Sequence, residues 1–308
     1  MGKWISYELQ SWRKSFKRDW HLYLLLLIPL ALVIIFNYAA YPGLRMVFMD
    51  YKPAKGYAGS KWVGWETFAK VFRDKDFIRA LKNSIVFNLL DLAVSFPMPI
   101  ILAIMLYEMN SLKLKKVYQT LMYLPHFLSW VIIGSLVSKI FGTNGPINNL
   151  ITSAGGQSVN FLMDEGNWVV MYVVTGIWQS AGWGTIIYLA AISGVNTELY
   201  EAAEVDGCGR LRRIWYVTLP CIMPTIVIML ILQLGQMVGI GFERPYVMMN
   251  DMVRNSADVI STFVYNRGIL NRQYPFATAV DIFGSVVNMC FVIGANLITR
   301  RLGEGGLF

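Results

Sequence analysis

One loop of the sequence combines acidic, small and glycine residues at a spacing suited to docking against another protein. It contains Glu201-Ala202-Ala203, then three residues and Gly207, with Asp206 directly before the glycine. Asn196 or Thr197 can cap a helix whose first turns contain glutamates, which are favourable near the positive end of the helix dipole. The alanines leave a slim face that another surface can approach closely, and the glycine permits a sharp turn. The loop predicts a short projecting helix followed by a glycine turn.

A second group of candidates consists of polar and aromatic side chains inside long apolar stretches. Aromatic rings pack against the apolar faces of a ligand, and amides and hydroxyls bond to its polar groups. The candidates for a substrate path of this kind are Trp178, Gln179, Ser180 and Trp183 in one stretch and Gln233 and Gln236 in another. The two glutamines are three residues apart and share a helix face. The alternative is that the tryptophans anchor at a membrane interface and the glutamines bond to neighbouring helices.

The remaining reactive residues form no catalytic constellation. His21 and His126 have no Asp, Glu or Cys at metal-ligand spacing, so neither is assigned a metal or acid–base role. Cys208, Cys221 and Cys290 are odd in number and far apart, which fits neither a disulfide framework nor a zinc site. No Walker A pattern is present, so the chain cannot hydrolyse ATP alone. We expect no catalytic residue, no metal and no cofactor in this chain.

Composition shows which elements must position these residues. The chain has 308 residues, of which 56% are hydrophobic and only 15% are charged, whereas a soluble domain has about 25% charged residues. Too few charged residues are present to cover a soluble surface, so the sequence predicts a polytopic membrane protein. The net charge of +8 is then attributed to basic loops beside the membrane and not to nucleic-acid binding.

Six stretches reach the roughly 20 apolar residues that a membrane-spanning helix needs. They are Leu22–Tyr41, Asn83–Tyr107, Tyr118–Phe141, Asn167–Ser193, Ile222–Phe242 and Phe276–Thr299. The fourth is the most polar and is expected to face protein or a cavity. Basic residues between Arg13 and Arg18 directly precede the first span, so both termini are predicted to be cytoplasmic. This divides the chain into an amphipathic N-terminal elbow segment (1–21), a transmembrane domain (22–299) with an inner loop (194–221), and a cytoplasmic tail (300–308).

The inner loop resembles a known family motif. Glu201-Ala202-Ala203, Gly207, Val217 and Leu219-Pro220 are similar in type and spacing to the EAA motif of bacterial ABC importer permeases. The departure is Val217, where the family pattern has Ile.

The resemblance extends over essentially the whole chain. The segments 123–130, 178–184 and 276–308 are similar to carbohydrate-importer permeases. The branch is that of the LplB-like polysaccharide-importer permeases, which are related to the larger maltose permease subunit.

The resemblance implies an all-α type I importer permease with six transmembrane helices in the bacterial cytoplasmic membrane. It implies a second permease subunit, two ATP-binding subunits that bind ATP and Mg, an extracytoplasmic solute-binding protein and an oligosaccharide substrate. By motif position, the resemblance implies that the residues that couple the permease to the ATPase are Glu201, Ala202, Ala203, Asp206 and Gly207. The substrate-path candidates fall near the sugar contacts of the related maltose subunit.

Three other readings compete with this one. An ion-coupled secondary carrier would use Asp91 and Asp281, which lie inside predicted spans, but it would not need the EAA loop. A membrane-embedded enzyme would need clustered His or Asp residues. An ABC importer of amino acids or ions remains within the same class of protein.

Overall fold

The computed structural model describes residues 18–301, and within that range the secondary structure is helical apart from one isolated bridge between Met49 and Trp62. These residues divide into two compact units, with the boundary after Thr67. Of the predicted elbow segment only residues 18–21 are described, and of the predicted tail only 300 and 301. The rest of both segments lies outside the described residues.

The first unit is built on one long helical run. Helix α1 (Trp20–Val33) continues as a π-helix (Ile34–Tyr38) and a 3-10 helix (Tyr41–Phe48). No residue of α1 is buried within the chain. After the run, the Phe48 ring stacks on Trp62 at 5.5 Å and meets the edge of Trp65 at 5.2 Å.

The second unit contains the remaining helices. They are α2 (Glu66–Arg73), α3 (Lys75–Leu90), α4 (Pro97–Tyr107), α5 (Leu112–Tyr123), α6 (Trp130–Phe141), α7 (Pro146–Ser153), α8 (Glu165–Ser193), α9 (Thr197–Val205), α10 (Arg210–Arg213), α11 (Leu219–Leu234), α12 (Glu243–Met248), α13 (Arg254–Ala257), α14 (Ile260–Val264) and α15 (Tyr274–Arg301). Helices α3 and α4 are joined by a π-helix at Asp91–Ser95, and α10 and α11 by another at Ile214–Thr218.

Most predicted spans correspond to long apolar helices. Among the described residues four helical runs are long and apolar enough to cross a membrane, namely Trp20–Phe48, Lys75–Tyr107, Arg210–Leu234 and Tyr274–Arg301. A fifth span results if the bent pair Leu112–Phe127 and Trp130–Ser153 is counted as one. Helix α8 matches the fourth predicted span. As the sequence predicted, it is more polar than the helical runs just named. The chain is a multi-pass membrane protein, and the number of spans is taken up below.

The third predicted span differs from a straight helix. Its two halves meet at an angle of 102°, because a 3-10 turn at Leu124–Phe127 contains Pro125 and ends the first helix. Ser129 is extended, and its hydroxyl accepts a hydrogen bond from the Ile132 amide at 3.4 Å, which starts α6. The proline therefore ends one helix and the serine cap begins the next, although the composition is apolar throughout.

The fifth predicted span also has different ends. Its helical run begins at Arg210, because α10 continues through the π-helix into α11 without a break. It ends at Leu234, and the following eight residues are not helical. Their backbone groups are satisfied from neighbouring helices. The Asn88 amide donates to the Met237 carbonyl at 2.9 Å, and the Asn288 carbonyl accepts from the Val238 amide at 2.9 Å. Irregular backbone at membrane depth is tolerated only with such partners.

Small residues on α8 let other segments approach it closely. A Cβ on Gly182 would collide with the Met122 carbonyl, and one on Gly184 would lie 2.9 Å from Pro99 on α4. Ala103 and Ile100 of α4 pack with Tyr188 and Ile192 of α8 in one core cluster. Helix α8 is thus at the centre of the unit, with α4 against one side of it.

Candidate functional site

Helix α9 contains the EAA residues and begins and ends with strong local signals. Asn196 is the N-cap, and its side-chain oxygen accepts from the Glu198 amide at 3.1 Å. At the other end Gly207 has φ +74°, and the Cys208 amide bonds the Ala203 carbonyl at 2.9 Å while the Gly207 amide bonds the Glu204 carbonyl at 3.0 Å. This is a Schellman motif, which favours glycine at the left-handed position. The predicted helix and glycine turn are both present.

The two faces of α9 have different surroundings. Tyr200 and Ala203 are buried against the rest of the chain, whereas Glu201, Ala202, Glu204 and Asp206 are exposed. Val205, a branched apolar side chain, is 88% exposed among these carboxylates. Of the predicted coupling residues, Ala203 therefore packs inside the permease, and the others are on the free face or at the turn.

Polar contacts fasten the buried face of α9 to the helices behind it. The Tyr200 hydroxyl is 3.2 Å from the Thr218 hydroxyl, and the Tyr200 ring lies beneath the guanidinium of Arg213 at 5.7 Å. Arg213 also forms an ion pair of 3.2 Å with Glu108 at the end of α4. Burial raises the pKa of the Tyr200 phenol above its ordinary value, so this hydroxyl stays protonated at neutral pH. These contacts connect α9 to the start of α11 and, through Arg213, to the end of α4.

Two cavities lie along α8 between the spans. The distal cavity, of about 380 Å³, is farther from the coupling loop and includes Asn88, Trp130, Tyr172, Gln236 and Glu243 in its lining. The proximal cavity, of about 220 Å³, is nearer the coupling loop and includes Ser95, Phe96, Ser180, Tyr188 and Met229. Three residues line both cavities, namely Asp91, Gln233 and Arg244. The wall between the cavities thus contains one anion, one cation and one amide.

The wall between the cavities is built around Arg244. Its Nη1 donates to Asp91 Oδ2 at 3.2 Å and its Nη2 donates to the Tyr172 carbonyl at 2.7 Å. Its guanidinium lies 3.6 Å from the centre of the Tyr172 ring. A Cβ on Gly176 would collide with this guanidinium, so the absence of a side chain there makes room for it. The Ser95 hydroxyl donates to the other Asp91 oxygen at 2.9 Å.

The structure brings some of the predicted path residues to the cavities and leaves others elsewhere. Gln233 lines both cavities, Gln236 the distal one and Ser180 the proximal one. Trp178 is 50% exposed and Trp183 43% exposed. The Trp183 ring stacks on His126 at 4.5 Å, and the Gln179 amide is 3.5 Å from the His126 carbonyl. Gln179 and Trp183 therefore contact the bend between α5 and α6, and neither they nor Trp178 are in the lining of the two cavities.

Arg244 is the residue that the sequence analysis missed. It follows the fifth predicted span, outside the apolar stretches that the sequence analysis considered. The available signal was Asp91, because a carboxylate inside an apolar span requires a cationic partner. Asp281, the other carboxylate of the carrier reading, is exposed on α15 and is not part of this ion pair. Within residues 18–301 no cluster of three His, Cys, Asp or Glu residues could bind a metal.

Long apolar helices with polar cavities between them are typical of a membrane transporter. The family described as the binding-protein-dependent transport system inner membrane component matches residues 78–304, and the chain belongs to this family.

Several known proteins are similar to this one over most of its length. Protein LplB of Bacillus subtilis is 43% identical over 97% of this chain and 94% of its own length. The polygalacturonan/rhamnogalacturonan transport system permease protein YteP of the same organism is 42% identical over 94% of this chain and 90% of its own. A crystal structure of a bacterial alginate ABC transporter, in complex with an alginate pentasaccharide-bound periplasmic protein, contains a chain with a TM-score of 0.87 and 39% identity, covering 96% of this chain and 99% of that one.

These likenesses show the class of function. The protein is a permease subunit of a binding-protein-dependent ABC importer for oligosaccharides, and it has the ABC importer permease fold. Such subunits are transporter components without a catalytic site of their own. The resemblance noted in the sequence is confirmed, and the ion-coupled carrier reading is not supported.

Proposed function

We propose that this chain spans a bacterial cytoplasmic membrane six times, with both termini in the cytoplasm, and pairs with a second permease subunit. Two ATPase subunits, which bind the ATP and Mg, dock on the coupling loop. The observation that carries this proposal is the division of α9 into a buried face with Tyr200 and Ala203 and a free face with Glu201, Ala202 and Val205. An apolar Val205 between carboxylates suits a socket in another protein, since interface cores are apolar and their rims polar.

We further propose that the cargo is an acidic oligosaccharide. Two similar proteins support this proposal, because one is named for polygalacturonan and rhamnogalacturonan transport and another for import of the acidic polysaccharide alginate. The cargo would pass through the distal and proximal cavities, whose amide, hydroxyl and aromatic groups match the needs of a saccharide. We assign Trp178, Gln179 and Trp183 to the surface that meets the second permease, in keeping with the exposure of both tryptophans.

A matched pair of substitutions tests the docking assignment. Ala202 is exposed and Ala203 is buried, so Ala202→Leu adds bulk only to the free face. We expect Ala202→Leu to keep the thermal unfolding midpoint of the purified permease pair but to lose co-purification with the ATPase subunits. Ala203→Leu should lower that midpoint, because overpacking a well-packed site costs about 1–3 kcal/mol.

The outcome is read from ATPase recovery and from ATP-driven uptake into liposomes that contain the complex. Full recovery of the ATPase with Ala202→Leu would place the docking surface elsewhere. Absence of any ATP-dependent uptake by the wild-type complex, with its binding protein and oligosaccharide supplied, would contradict the importer assignment itself.

A further inference from the structure

The Asp91–Arg244 ion pair is the part of the translocation path with the strongest local electrostatics. Its side chains are 17% and 14% exposed, and both line the two cavities. Asp91 lies midway along the helical run Lys75–Tyr107, near the middle of the membrane. A charged pair at this depth is costly and typically marks a functional site.

The surroundings of Arg244 leave polar groups beside the distal cavity without partners. Arg244 Nε and the Tyr172 hydroxyl are buried and have no hydrogen-bond partner among the described residues. Of the five N–H donors of a guanidinium, the structure shows bonds only to Asp91 and to the Tyr172 carbonyl. Buried donors without partners are rare in native proteins, and each one requires an explanation.

We propose that Arg244 binds a carboxylate group of the acidic cargo inside the translocation path, at the position that the Asp91 carboxylate occupies in this structure. The inference rests on the proposed function, because it requires an acidic oligosaccharide as cargo. Asp91 itself shows that a carboxylate fits on this guanidinium.

An exchange of carboxylates explains how such a site selects its cargo. A uronate that replaces Asp91 leaves Arg244 paired, so that only Asp91, which keeps its bond from Ser95, loses its ionic partner. A neutral sugar that separates the same pair leaves both charges without ionic partners, and each unpaired buried charge is strongly destabilising. Glu243, the other carboxylate in the lining of the distal cavity, is more exposed than Asp91.

The test uses the complete transporter in liposomes with ATP in the lumen and a uronic-acid trisaccharide delivered by its binding protein. The double variant Asp91→Asn/Arg244→Gln is neutral and close in shape, and it should lose uptake by at least about tenfold, as expected for loss of a hydrogen bond to a charged group. Its ATPase stimulation by the binding protein should persist.

The matched control is a second arginine–aspartate pair that lines neither cavity. Arg267 and Asp74 are 2.9 Å apart, and the double variant Asp74→Asn/Arg267→Gln should leave uptake unchanged. Equal losses in the two double variants would overturn the assignment, since removal of any ion pair would then suffice. Wild-type uptake of the carboxyl-reduced, neutral trisaccharide as fast as that of the uronic-acid trisaccharide would overturn it as well, and this comparison does not depend on whether either double variant assembles.

Failure of this site is distinguishable from failure of the proposed function. Wild-type uptake that persists in Asp91→Asn/Arg244→Gln would reject the role of Arg244 and leave the importer intact. A wild-type complex that takes up only neutral oligosaccharides would reject the acidic cargo, and the role of Arg244 with it.

Discussion

At the scale of single residues, the site depends on a position without a side chain as much as on the charged ones. Arg244 reaches Asp91 and the Tyr172 carbonyl only because Gly176 leaves space for the guanidinium between α8 and α12. Glycine inside a helix costs about 0.5–1 kcal/mol relative to alanine. Here that cost is offset by the pairing of a buried cation.

We expect Gly176→Ala to displace Arg244 and to destabilise the protein by about 1–3 kcal/mol, as overpacking does. The measurement is the thermal unfolding midpoint of the complex in detergent. The control is Gly294→Ala on α15, where a new Cβ would meet nothing within 4 Å; this change should leave the midpoint equal or slightly higher. Equal midpoints for the two variants would show that Gly176 is not needed for the placement of Arg244.

At the scale of elements, α9 is attached to the rest of the permease along one face, as a helix that transmits movement would be. Tyr200 contacts Thr218 at the start of α11, and Arg213 links α10 to Glu108 after α4. The helical run continues from α10 into α11, so the contacts of α9 with Thr218 and Arg213 join it to the helical run of the fifth span.

Tyr200→Phe should weaken this transmission. The change leaves the buried Thr218 hydroxyl without its partner, which costs about 1–3 kcal/mol. We expect less oligosaccharide taken up per ATP hydrolysed, measured in liposomes, with the ATPase still bound. Tyr216→Phe is the control, because Tyr216 is exposed in the same segment; equal ratios for the two variants would argue against transmission through Tyr200.

The same hydrogen bond has a defined dependence on pH. The pKa of Tyr200 is raised by burial, so its stabilising contribution is complete below the ordinary pKa of tyrosine. It is lost only as alkaline pH rises through the raised value. Transport near neutral pH should therefore not depend on the ionisation of Tyr200.

At the scale of the whole molecule, the described chain exposes far more apolar surface than a soluble protein can. Large apolar side chains are exposed along α1 and on the outer sides of the other spans, where lipid or a second permease would cover them. The coupling loop and the distal cavity lie toward opposite ends of α8, which runs for 29 residues, or about 44 Å at the usual rise of a helix. That length matches a full bilayer with its headgroups.

The orientation of the molecule can be tested with its own cysteines. Cys208 follows Gly207 in the coupling loop, and Cys221 and Cys290 are in spans. In a Cys221→Ser/Cys290→Ser variant, a membrane-impermeant maleimide should label Cys208 in inside-out vesicles and not in intact cells. Bound ATPase subunits should slow the labelling. Labelling from outside the cell would contradict a cytoplasmic coupling loop.

The sequence by itself determined everything that depends on neighbours along the chain. The caps of α9 at Asn196 and Gly207 and the apolar length of most spans are local properties, and the EAA spacing was sufficient to indicate the family. Tertiary structure decided which polar groups meet. Asp91 and Arg244 are 153 residues apart, and nothing local selects one arginine among many. The bend at Pro125 has local causes in the proline and the Ser129 cap. The break after Leu234, with its partners Asn88 and Asn288, depends on packing against other helices, because an apolar composition fixes where a helix is stable in lipid but not what lies beside it.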